Sequence, residues 1–157
     1  MKKLSIYYLF ITMLFLGCND SPTSNNNSTT TGGSSSNLIS LEFGNYTNTS
    51  VDIIINTSEN ISGFQFTIIG PTIAGYSGGL ANQYGFSIAN NPDTGIIIGY
   101  SLSGNVIPSG SNDILTTLTF DDNNSQICFE NVILSDPNAL ALNIDFIGDC
   151  IAVSYTH

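Results

Sequence analysis

The chain has 157 residues, with 12 Asp and Glu against 2 Lys and Arg, one His and a formal charge of −10. Both basic residues, Lys2 and Lys3, stand at the very start. Everything after them lacks the cations that neutralise phosphates, which excludes nucleic acid as a partner and leaves no cationic clamp for an oxyanion or phosphoryl group.

Lys2 and Lys3 precede an apolar stretch from Leu4 to Leu16 that only Ser5 and Thr12 interrupt, and Gly17 follows. A charged start, a short apolar core and a small residue describe a secretory signal. The stretch is too short to cross a bilayer, which takes about 20 residues. With Gly17 before Cys18, residues 1–17 resemble a bacterial lipoprotein signal, Phe15 standing where Leu is usual. The resemblance implies that Cys18 is acylated as the first residue of the mature protein. Cleavage there removes both lysines and takes the charge from −10 to −12. Without a polybasic patch, attachment to the lipid bilayer rests on the acyl chains of Cys18. The expected location is the cell envelope, outside the cytoplasm, on the outer membrane or cell surface. After Cys18, residues 19–37 are Ser, Thr, Asn and Gly with one Asp, one Pro and no large apolar side chain, the composition of a flexible tether.

Residues 38–157 have the size of one domain. Apolar residues alternate with polar ones or form short β-branched runs, with Gly, Asn, Asp and Pro between them. The pattern predicts strands over 38–43, 51–56, 63–69, 84–89, 95–102, 113–120, 126–134, 142–147 and 150–155, and no long amphipathic helix. In GFQFTII the two-residue period turns Phe64, Phe66 and Ile68 to one side, and Gln65, Thr67 and Ile69 to the other. Leu118 and Phe120 likewise oppose Thr117 and Thr119. The fold expected is an all-β, antiparallel sandwich of about nine strands.

The segments ISGFQFTI, YGFSIAN, GIIIGYSLSG, IPSGSNDILTTLTF, ICFENVILSDPNAL and LNIDFIGDCI resemble cohesin domains in order and spacing. The resemblance covers most of residues 40–155. It implies a jelly-roll sandwich that recognises a protein, a dockerin or another secreted or surface protein, through one flat sheet face. Carried over residue by residue, the contact strand ISGFQFTI offers Gln65 and Thr67, with Gly63 supplying no side chain. The neighbouring strands add Ser87 and Tyr100. The sequence departs from the family at GPTIAGYSGG, residues 70–79, which reads as a loop in place of an Asp-Pro turn.

Apart from Cys18, the cysteines are Cys128 and Cys150, an even pair that reads as a disulfide in an exported protein. A zinc site would need a second pair or a nearby His. Asp121 and Asp122, in DDNNS, are the calcium candidates, but the D-x-[DN]-x-[DN]-G spacing is missing and hairpin turns favour the same residues. No cofactor is expected. Glu42, Glu59 and Glu130 could in principle serve a glycosidase, yet nothing marks two of them as a pair, so no enzyme activity is expected. The alternative to protein recognition is polysaccharide binding, for which Tyr46, Tyr76, Tyr84 and Tyr100 could stack on a pyranose ring. A surface lipoprotein without a specific ligand is the third reading.

Overall fold

Val51, Ile53 and Ile55 are fully buried while Asp52, Ile54 and Asn56 between them are half-buried, the signature of a strand with one face in the core. This computed structural model describes residues 38–121 and 126–152. Residues 1–37, which include Cys18 and the expected signal and tether, lie outside the described residues, as do Asp122 and His157. Among the described residues there are nine strands and one short helix: β1 (Ser40–Tyr46), β2 (Ser50–Thr57), β3 (Gly63–Ile69), β4 (Ile73–Ser77), α1 (Gly79–Gln83), β5 (Ser87–Asn91), β6 (Ile96–Tyr100), β7 (Ser111–Phe120), β8 (Cys128–Ser135) and β9 (Phe146–Ile147). They form a five-stranded sheet, β4-β7-β2-β1-β9, and a four-stranded sheet, β5-β6-β3-β8. Every neighbouring pair is antiparallel except β1 and β9.

The core lies between the sheets. β2 and β7 contribute Val51, Ile53, Ile55, Leu118 and Phe120, while β3 contributes Phe64, Phe66 and Ile68, all buried as the alternation predicts, and Leu115 is buried out of that period where the β2–β7 register shifts. Rings organise the packing. Phe64 stacks near Phe66 and Phe86 at centroid distances of 5.9 and 6.0 Å, and Phe129 of β8 stacks on Phe43 of β1 at 4.0 Å. The Phe43–Phe129 pair joins the two sheets, a geometry that adds to the area buried.

GPTIAGYSGG is not a loop. Residues 73–77 form β4 on the edge of the five-stranded sheet, paired with β7, and Gly79 begins α1. The strand has five residues, of which Ile73 is buried and the next four are exposed or half-buried, so no period-two pattern marks it. The helix also has five residues, too few to repeat a helical face. Tyr84 and Gly85, expected as a strand start, form the turn that closes α1, and β5 begins at Ser87. Residues 142–145 are irregular before β9, and near Cys150 the described backbone makes one bridge, Ile127 with Ile151.

The open edge between the sheets is latched by side chains. Tyr76 Oη of β4 donates to the Ile88 carbonyl of β5 at 2.5 Å, and Asn90 Nδ2 of β5 donates to the Ile73 carbonyl at 3.2 Å. At the other end of the sandwich, Cys128 and Cys150 are joined in a disulfide beside the Ile127–Ile151 bridge.

Candidate functional site: the outer face of the four-stranded sheet

Cross-strand partners in a sheet share a face, so register shows which outward side chains meet. Gly63 of β3 stands opposite Tyr100 of β6 and Ser135 of β8, and Tyr100 stands opposite Ser87 of β5. The next outward row is Ala89, Ile98, Gln65 and Ile133. The third is Asn91, Ile96, Thr67 and Glu130, and a fourth sets Ile69 opposite Cys128. Thus Gln65, Thr67, Ser87 and Tyr100, chosen from three separate segments, stand on one face.

They do not contribute equally. Ser87 is exposed and Tyr100 is 40% exposed, while Gln65 is half-buried at the middle of its row. Thr67 lies on the face in register but is 7% exposed, between Ile96 and Glu130, and so offers a partner almost no surface. Gly63 leaves a shallow place: a Cβ built there would come within 2.9 Å of Ser135 Oγ.

Aliphatic side chains supply the exposed area that the polar candidates alone do not. Ile69 is 43% and Ile133 39% exposed, and Ile96 and Ile98 are half-buried beside them. Three consecutive isoleucines in GIIIGY put Ile97 in the core and the other two outside, so the run hides the alternation that would have flagged them. Glu130, the only carboxylate in these rows, arrives through a β-bulge. Phe129 and Leu134 both face inward although five residues apart, which a two-residue period forbids without an extra residue. The register of β8 shifts between Gln65 and Thr67, and Asn131 there has φ 50°. α1 packs on β7 and β5 and does not cross this face.

The sugar candidates are dispersed. Tyr46 ends β1, where its ring lies 6.5 Å from that of Phe120. Tyr76 is held on β4 by its bond to Ile88, Tyr84 is half-buried in the turn after α1, and Tyr100 is alone on the four-stranded sheet. These four rings make no shared platform. Among the described residues no three His, Cys, Asp or Glu converge as metal ligands. Asp121 is exposed at the end of β7, while Asp136, in the SDPN turn, spends its carboxylate on the turn itself. Its Oδ1 accepts from the Leu140 and Asn138 amides at 2.8 and 2.9 Å, and Oδ2 from Asn138 Nδ2 at 3.1 Å. The Leu140 amide, then the Asn138 side chain, hold this carboxyl below its ordinary pKa. Glu42 sits on β1 and Glu130 on β8, in different sheets, while Glu59 lies in the turn after β2.

Neither a protein-family model nor a curated protein sequence matches the chain. Solved structures do. A chain of the CaDoc0917–CaCohA2 complex superposes with TM-score 0.51 at 17% identity, over 71% of this chain and 95% of that one. The sixth cohesin of scaffoldin B from Acetivibrio cellulolyticus, in complex with the Cel5 dockerin, gives 0.51 at 13% identity, over 74% and 98%. A non-cellulosomal cohesin of the archaeon Archaeoglobus fulgidus gives 0.48 at 13%, over 71% and 86%. The fold is a cohesin-like all-β sandwich.

Proposed function

We propose that the chain is a lipid-anchored, extracytoplasmic binding domain that recognises a protein through the outer face of β5-β6-β3-β8. The observation that carries this reading is the set of exposed hydrophobic groups on one sheet face, Ile133 and Tyr100 beside Gln65 and Ile69 two rows further along β3. Solvent-exposed aliphatic and aromatic groups gathered on one surface mark a place for a partner, with nearby polar groups setting orientation. The solved cohesin of scaffoldin B holds a dockerin, and a dockerin-like module is the partner class that this comparison suggests here. Anchoring through acylated Cys18 and presentation on the envelope follow from the signal-like first 17 residues and the polar tether. The dispersed tyrosines support polysaccharide binding on this sheet less well.

The test is capture from the source organism's own secreted proteins on the immobilised chain. One protein should be retained by the natural chain and lost with Gln65→Arg, whose affinity should fall roughly tenfold or more, as at a contact central to an interface. Equal retention by both, or retention of nothing, contradicts the reading.

A further inference from the structure

A groove runs along α1 on the open edge of the sandwich, and none of its lining residues belongs to the rows of the sheet face just described. Its wider part, ≈ 580 Å³, lies between the end of α1 and the segment after β6, lined by Asn82, Gln83, Tyr84 and Asn105 with Gly85 and Gly104. A second recess of ≈ 300 Å³ shares Asn82 and is lined also by Tyr76, Ser77 and Phe86. The walls are fixed. Asn105 Nδ2 donates to the Tyr84 carbonyl at 3.0 Å, its amide to Ser101 Oγ at 3.0 Å, and Tyr84 N to the Leu80 carbonyl at 2.9 Å. Gly104, with φ +72°, turns the rim, which faces open space.

The lining is uncharged in a chain of charge −10, since none of the carboxylates borders either recess. The amides of Asn82 and Gln83 are exposed and find no hydrogen-bond partner among the described residues, and neither does Oδ1 of Asn105. Each amide both donates and accepts, which suits adjacent hydroxyl groups, and Tyr84 and Tyr76 supply ring surface at the two ends. A cationic ligand would find no carboxylate here, and an anionic one would be repelled by the whole chain. We infer that this amide-lined groove is a second binding site, for a neutral saccharide, built independently of the protein-binding face.

The experiment is titration of the chain with neutral oligosaccharides of glucose, mannose, galactose, xylose and N-acetylglucosamine, followed by calorimetry and by amide chemical shifts. At least one should bind and shift the amides of residues 82–85 and 104–106. Asn82→Ala and Gln83→Ala should each weaken it about threefold to tenfold, the loss of one or two hydrogen bonds. Both positions are exposed, so unfolding midpoints should not move, and Gln65→Arg should leave saccharide affinity unchanged. Failure of every oligosaccharide to bind at millimolar concentration overturns the inference, as does binding that both alanine variants leave intact. Equal binding of an uncharged peptide would assign the groove to a different ligand class and overturns it too.

Discussion

Gly99 shows how narrowly the interior is fitted. It faces the core from β6, and a Cβ built on it would fall 2.0 Å from the ring of Phe64, whose face it supports. Gly99→Ala therefore has to displace a ring that also packs against Phe66 and Phe86. Such overpacking should cost about 1–3 kcal/mol, read as a lower urea midpoint with unchanged slope. Tyr76 carries a different lesson. In sequence it is an aromatic in a glycine-rich stretch, open to a sugar-stacking role, but the bond it makes to Ile88 depends on β4 and β5 meeting across the sandwich edge. Tyr76→Phe should keep the ring and lose that bond, lowering stability by about 0.5 kcal/mol, the low end for a bond near solvent. The parity of Gln65 was legible because Phe64 and Phe66 flank it. The burial of Thr67 was not, because it is decided by Ile96 and Glu130, which belong to other strands.

At the scale of elements, the residues legible in sequence are those where one face is apolar and the other polar, as in β2, β3 and the second half of β7. The elements that sequence missed, β4 and α1, have five residues each and give no repeat to read, and β4 is defined by its pairing with β7. The bulge in β8 was present in the odd spacing of Phe129 and Leu134, but only knowledge of which side is the core turns that spacing into a signal. The even cysteine pair, by contrast, pointed to the bond that joins β8 to the segment after β9, 22 residues on. Reduction should destabilise the domain by roughly 3 kcal/mol on the chain-entropy account and lower Tm by several degrees. Unchanged melting after complete reduction would show that the bond closes no loop that matters. The SDPN turn adds a pH dependence. Because Asp136 is held below its ordinary pKa in the folded chain, its stabilising effect is present above the ordinary carboxylate range. That effect is lost as the pH falls through the lowered value. Asp136→Asn should lower stability at neutral pH, where the ionised carboxylate contributes, and flatten the acid limb so that the two chains converge at low pH, which denaturation midpoints from pH 7 down to about 2 would reveal.

For the whole molecule, the one-signed charge and the signal-like first residues decide how the domain can be presented. With no Lys or Arg after Lys3, electrostatic attachment to anionic lipid is unavailable. Cys18→Ala should move the protein from the membrane to the soluble fraction, measured by fractionating cells that express it. The fold class followed from composition and alternation, while the working face needed the register between strands far apart in sequence. Gln65, Ser87 and Tyr100 could be named in advance, but Ile98 and Ile133 complete the surface only once β6 and β8 are placed on either side of β3. On the proposed reading this face, and not the polar outer face of the five-stranded sheet, holds the partner. That reading is tested most directly by comparing Gln65→Arg with Thr119→Arg, an exposed outward position on β7, in affinity for the captured protein. Affinity should fall roughly tenfold or more with the first and change within about twofold with the second. Loss with Thr119→Arg while Gln65→Arg binds normally would contradict the reading.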